Sequence, residues 1–112
     1  MSIDEADWQH LRRIKPAVLD RLCERILSQI ARASRSPGKT NHERYLAVFK
    51  LIQRRDDDIA DAFNDMRRST AYQRIFAMHK LKLLTVEEIA GFSARLRAFL
   101  EPESPSPAGE ED

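Results

Sequence analysis

The sequence has few of the residues that cross-link or turn a chain. Its 112 residues include one cysteine, Cys23, and three glycines. One cysteine cannot form an intramolecular disulfide, and no charged segment followed by an apolar one opens the chain, so we expect a cytoplasmic protein and not a secreted one. No apolar run approaches the roughly 18 residues of a membrane span, so we expect no membrane association.

Sequence signatures of catalysis and metal binding are also lacking. A structural zinc site needs four Cys or His ligands at close spacing, whereas Cys23, His10, His42 and His79 are far apart in the chain. There is no glycine-rich phosphate loop, nucleophile elbow or HExxH sequence. The sequence therefore predicts no metal site and no cofactor, and it gives no support for an enzyme.

The residues that are abundant favour helices. Hydrophobic residues make up 42% of the chain and charged residues 33%, which is typical of one small globular domain. Alanine, leucine and arginine are common, so we predict an all-α fold, a bundle of four to five helices within a single domain over residues 1–100. Residues 101–112, EPESPSPAGEED, contain three prolines and five acids and are predicted to form a disordered acidic tail.

Capping residues predict where the helices begin and end. Ser2 and Glu5 have the spacing of a capping box for a short first helix. Pro16 favours the first turn of a second helix, so we expect the first helix to end or bend near residues 14–15. Residues 34–41, SRSPGKTN, predict a loop, with Thr40 or Asn41 capping the next helix.

Three further helices follow from the periodicity. The third is predicted over residues 42–64, and the fourth over residues 71–84 with Ser69 or Thr70 as its cap. Thr85 and Glu88 have the spacing of a second capping box, at the start of a fifth helix with a break near residues 91–93.

The apolar stripes of these helices predict the core. The predicted core residues are Trp8, Leu11, Leu22, Ile26, Ile30, Tyr45, Phe49, Ile52, Ile59, Phe63, Ile75, Phe76, Leu83, Ile89 and Phe92. Further apolar residues lie off these stripes: Leu46, Leu51, Leu81 and Leu84. They suggest that the third and fourth helices are covered on more than one side, by the fifth helix or by a second subunit.

Two polar residues interrupt apolar faces. Asp56 lies between Ile52 and Ile59, and His79 lies on the apolar face of the fourth helix. Because a buried carboxylate is costly without a partner, we predict that Asp56 and His79 form a buried or half-buried hydrogen-bonded pair. We expect such a pair to fix helix register more readily than to act as a catalytic or pH-sensing dyad.

Positive charge is concentrated in one segment. Residues 66–84 carry five basic side chains and no acid, and three arginines share the exposed face of the second predicted helix. Together they define a candidate nucleic-acid-binding surface of Arg21, Arg25, Arg32, Arg67, Arg68, Arg74, Lys80 and Lys82. The acidic tail has the opposite charge and is predicted to mask this surface or to act as a solubility device.

A short phrase near the end of the chain resembles a DNA-binding motif. Residues 84–90, LTVEEIA, are similar to the opening helix of bacterial helix-turn-helix repressors. That resemblance implies a recognition helix after a short turn, but the following GFSARLRAFLEP offers only Arg95 and Arg97 to DNA and soon reaches the predicted tail. We interpret the phrase as a well-capped helix start.

Three functional hypotheses follow. The first is a small cytoplasmic protein-interaction or regulatory module that binds a protein partner or forms a homodimer. The second is a nucleic-acid-binding protein that uses the basic surface. The third is a small enzyme or ligand-binding protein with a pocket beside Asp56 and His79.

Overall fold

The chain folds as a small all-α protein. A computed structural model describes residues 2–100, in which there are five α-helices, one 3₁₀ turn at Arg68–Thr70 and no strand. The predicted acidic tail, residues 101–112, lies outside the described residues. The helices are α1 Glu5–Ser34, α2 Asn41–Phe63, α3 Ala71–Lys80, α4 Val86–Ala90 and α5 Ala94–Leu100.

Helix α1 is one continuous helix of 30 residues that includes Pro16. The predicted helix end at residues 14–15 is therefore wrong. Pro16 cannot donate a hydrogen bond to the carbonyl of Arg12, but both residues are exposed, so water can bind that carbonyl and the helix passes through. The predicted Ser2 cap is also wrong, because α1 begins at Glu5 with Asp4 at the N-cap position.

Helices α1 and α2 form an antiparallel hairpin around a short loop. At the start of α2, Thr40 Oγ1 accepts a hydrogen bond from Glu43 N–H at 3.0 Å, and Glu43 Oε1 accepts one from Thr40 N–H at 2.8 Å. Arg44 Nε donates to Ser36 O at 2.9 Å and ties the helix to the loop. The Thr40 cap is thus confirmed, with reciprocal bonds that satisfy two backbone donors.

The remaining helices pack against one end of this hairpin. Thr70 does not cap α3 through its side chain; its Oγ1 accepts a hydrogen bond from Arg67 N–H within the preceding turn. After α3, Lys82 adopts a left-handed conformation with φ 58°, and Leu83 N–H donates to Met78 O at 3.0 Å, which closes the helix end. Thr85 and Glu88 form the predicted capping box of α4, and the predicted break separates α4 from α5.

The core lies where α3, α4 and α5 cover the hairpin. Its most deeply buried large side chains include Leu11, Ile75, Leu83, Phe92 and Leu96. The opposite end of the hairpin, residues 27–50, contains no buried residue. We call residues 27–50 the arm.

The exposure of residues on α2 overturns part of the predicted core. Tyr45, Phe49 and Ile52 are exposed, whereas Leu51 is buried, because α1 packs against a different face of α2 from the one the apolar periodicity favoured. The described residues extend over 51 × 39 × 22 Å with a radius of gyration of 17.2 Å, compared with about 13 Å for a compact domain of 100 residues. The arm therefore projects from the core.

Candidate functional site

Helix α2 presents a row of large apolar side chains to solvent, along the arm and just beyond it. Tyr45, Phe49 and Ile52 are 63%, 49% and 47% exposed, and Leu46 beside them is 37% exposed. Spacings of four and three residues place the first three on one face of α2. The rings of Tyr45 and Phe49 stack with centroids 6.4 Å apart, so they form one aromatic surface.

The same face continues through Asp56 towards the core. Asp56, four residues after Ile52, is exposed, whereas Ile59 is half-buried and Phe63 is buried. Helix α3 packs against the end of α2 that carries Phe63, where Arg74 donates to the carbonyl of Asp61 at 2.8 Å. One continuous face of α2 is thus covered at its carboxyl end and uncovered at residues 45–56. We call Tyr45, Phe49, Ile52 and Asp56 the α2 stripe.

A second group of polar side chains joins α1 to α4 and α5. Asp7 is buried, and its two carboxylate oxygens accept hydrogen bonds from Ser93 N–H and Ser93 Oγ, both at 2.7 Å. The His10 ring is hydrogen-bonded through Nε2 to the carbonyl of Glu88 at 2.7 Å and meets the Phe92 ring edge-on. These bonds satisfy backbone groups where α4 ends and α5 begins.

Arg21 and Glu88 form the ion pair at the centre of this group. The guanidinium donates to Glu88 Oε1 at 2.9 Å and to Oε2 at 3.1 Å, and it also donates to the carbonyl of Leu83. Burial of Glu88 disfavours its charged form, but hydrogen bonds from Arg21 and Thr85 outweigh that effect and hold the pKa of Glu88 below its ordinary value. The hydrogen bond to Glu88 raises the pKa of Arg21.

The sequence reasoning missed this polar group. The sequence contains one indication of this group: polar residues of α1 alternate with buried apolar residues of the same helix. These polar residues are Asp7, His10 and Arg21. Periodicity alone does not identify their partners, which lie more than 60 residues away along the chain.

The predicted basic surface is largely engaged within the protein. Arg25 donates to the carbonyls of Leu81 and Lys82, and Arg67 forms an ion pair with Asp65 at 2.7 Å. Arg68 pairs with Glu5 and lies 5.3 Å from the centre of the Trp8 ring. Arg21 and Arg74 form the bonds described above. Five of the eight residues therefore bind backbone carbonyls or carboxylates of the protein itself. Lys80 lies over the Phe76 ring, and Arg32 and Lys82 are exposed.

The predicted pair of Asp56 and His79 is not joined in the structure. Asp56 is exposed on α2 and His79 is half-buried on α3. Both residues are described, and the hydrogen bonds recorded for residues 2–100 include none between them. The physical reason is the position of Asp56 along α2, because the face that it shares with Ile59 and Phe63 is covered at its carboxyl end and uncovered at Asp56.

A pocket of about 490 Å³ lies between the 3₁₀ turn, α3 and α5. Ser69, Tyr72, Gln73, Arg95 and Phe99 line it, and Arg95 forms an exposed ion pair with Asp4 at 3.3 Å. Neither Asp56 nor His79 lines this pocket. It is therefore not the concave site that the third sequence hypothesis requires.

Two general features are absent from residues 2–100, a metal-binding cluster and a membrane-spanning helix. Between residues 2 and 100, no three His, Cys, Asp or Glu side chains are placed to hold a metal ion together. In that same range, no helix has both the length and the apolar character needed to cross a membrane.

Comparison with known proteins adds no relative. No protein-family model matches the chain. No curated protein and no solved structure matches it either.

Proposed function

We propose that the protein is a small cytoplasmic interaction module that binds a helical protein partner through the α2 stripe. One observation about the arm supports this proposal. Residues 27–50 include no buried residue, although three large apolar side chains, those of Tyr45, Leu46 and Phe49, lie there. A partner helix on this face would bury what the chain itself leaves exposed.

Burial energetics support a partner at this position. A two-helix hairpin without a third element buries little apolar surface, and apolar burial is the dominant favourable contribution to folding. Four apolar side chains are exposed here: Tyr45, Leu46, Phe49 and Ile52. Together they expose roughly 400 Å² of surface, which is in the size range of patches that are often functional on monomeric proteins. Scattered single apolar residues would not support this argument, but a stacked, continuous row does.

The form of the surface favours a helix as the bound element. The exposed side chains follow one another at intervals of four and three residues, which is the spacing by which two helices pack side by side. Amphipathic helices that bind such rows present anchors at the same spacing. Asp56 lies at one end of the row, so the two ends of the row differ in chemistry.

Site-specific photo-cross-linking of the full chain in its host cell tests the proposal. A photoreactive phenylalanine analogue replaces Phe49, and a control variant carries it at Arg54, which is exposed on α2 about 180° from Tyr45. We expect discrete adducts from position 49 and none above background from position 54. The substitution Ile52→Ser should reduce the yield from position 49.

Equal, diffuse labelling from both positions would overturn the proposal. The mass of a discrete adduct carries further information, since twice the chain mass of 13.0 kDa means a second copy and any other mass means a different protein.

A further inference from the structure

We propose that the partner of the α2 stripe is a second copy of this chain, with the two α2 helices packed antiparallel about a two-fold axis between residues 50 and 51. The inference rests on the proposed function and specifies its partner. It is carried by the spacing of the stripe, the distribution of charge along α2 and the area that remains exposed.

The spacing of the stripe is symmetric. Its four residues are separated by four, three and four positions, so the spacing is the same in both directions. Antiparallel pairing about residues 50–51 places Tyr45 opposite Asp56 of the second copy, and Phe49 opposite Ile52. Such pairs form the layers between two antiparallel helices with heptad spacing. In a two-fold dimer the same surface contacts itself, so the residues of that surface must complement one another.

The two outer layers match in chemistry as well as in position. The phenol of Tyr45 donates a hydrogen bond, and the carboxylate of Asp56 accepts one. A buried aspartate opposite an apolar residue would be costly, whereas opposite a tyrosine it has a partner. This explains why a carboxylate occupies a position that the apolar periodicity otherwise assigns to a hydrophobic residue.

Charge along α2 favours the antiparallel direction. Residues 41–55 carry four basic side chains and one acid, whereas residues 56–61 carry four acids and no base. Two parallel copies would bring like charges together. Two antiparallel copies in this register place residues 56–61 of each α2 opposite residues 40–45 of the other, which carry one base and one acid, and this direction also aligns the helix dipoles favourably.

The exposed area predicts a reversible dimer. Roughly 400 Å² from each copy gives about 800 Å² in total, below the range of 1,200–2,000 Å² that is typical of stable complexes. We therefore expect a dissociation constant in the micromolar range and dimers that exchange subunits.

Disulfide trapping between two single-cysteine variants tests both partner and direction. In the full chain with Cys23→Ala, one variant carries Tyr45→Cys and the other carries Asp56→Cys. The two variants are mixed under mild oxidation. The antiparallel register predicts that disulfides between position 45 of one copy and position 56 of the other form more often than random pairing would give. The two like positions would be about 16 Å apart, at about 1.5 Å per residue over the intervening helix. The mixed dimer also keeps one intact layer of Tyr45 and Asp56.

Arg54→Cys, on the opposite face of α2, is the matched control and should yield only the random share with either variant. Dominant disulfides between like positions would overturn the antiparallel register. Yields equal to those of the control would overturn self-pairing. If self-pairing fails while photo-cross-linking from position 49 gives a discrete adduct of another mass, the interaction surface stands and its partner is a different protein. Failure of both experiments overturns the proposed function as well.

Discussion

Asp7 and Ser93 lie 86 residues apart in the chain, and the buried carboxylate of Asp7 accepts hydrogen bonds from both the backbone N–H and the hydroxyl of Ser93 at 2.7 Å. Ser93 precedes the first residue of α5. Ser93 caps α5 through its own hydroxyl, which accepts a hydrogen bond from Leu96 N–H at 3.3 Å, and Asp7 holds that cap in place as the N3 carboxylate does in a capping box.

Removing this carboxylate should destabilise the fold. Asp7→Ala leaves two partly buried donors of Ser93 without their carboxylate acceptor, so we expect a loss of about 2–4 kcal/mol in the free energy of unfolding. Urea denaturation measures it. Asp20→Ala, an exposed change on the same helix, should alter stability by no more than about 0.5 kcal/mol. Equal effects of the two substitutions would show that the contact of Asp7 with Ser93 contributes little.

Gly91 is required by the position of His10. A β-carbon at residue 91 would lie 2.3 Å from Cε1 of the His10 ring, and that ring is fixed by its bond to Glu88 and its contact with Phe92. Gly91→Ala should therefore lower stability by about 1–3 kcal/mol, although alanine suits the helical backbone there, with φ −76°. In a His10→Ala background the same change should cost much less. An additive double mutant would contradict this explanation.

The ion pair of Arg21 and Glu88 predicts a defined loss of stability in acid. The pKa of Glu88 is lower in the folded state than in the unfolded chain, so its contribution is complete above the unfolded pKa of about 4.3 and is lost as the pH falls through the folded pKa. Glu88→Gln should be less stable than wild type at pH 6, and the difference should shrink below about pH 4. Urea denaturation at several pH values measures it, and a difference that does not change with pH would contradict the assignment.

Neighbouring residues of α2 should respond differently to substitution. Phe49 is 49% exposed and Leu51 is 8% exposed. In dilute, monomeric protein, Leu51→Ala should lower stability by about 2–4 kcal/mol through loss of core packing, whereas Phe49→Ser should alter it by less than about 1 kcal/mol. Thermal unfolding at low concentration distinguishes them. A large loss from Phe49→Ser would mean that this ring belongs to the monomer core.

Local features of the fold were predictable from the sequence. The cap at Thr40, given with Asn41 as its alternative, and the capping box at Thr85 were predicted because every atom that forms them lies within four residues of chain. The helical class followed from composition and periodicity. The helix end predicted at residues 14–15 was wrong because the cost of a proline depends on whether water reaches the carbonyl that it leaves unpaired, which the sequence does not state.

The features that bear on function were harder to predict. Periodicity identified the α2 stripe as apolar but assigned it to the core, since a row at heptad spacing looks the same whether its partner is in the same chain or in another. The bonds of Asp7 to Ser93 and of Arg21 to Glu88 depend on how α4 and α5 dock onto α1. A single sequence contains no direct record of such long-range pairs.

The central claim is that the α2 stripe is a protein-binding surface used by a second copy of the chain. Sedimentation velocity of the full chain, from about 1 to 300 µM, tests it most directly. We predict a reversible monomer–dimer equilibrium that Phe49→Ser weakens at least about ten-fold and that Arg54→Ser leaves unchanged. A monomer at every concentration, or a dimer that Phe49→Ser does not weaken, would contradict the claim.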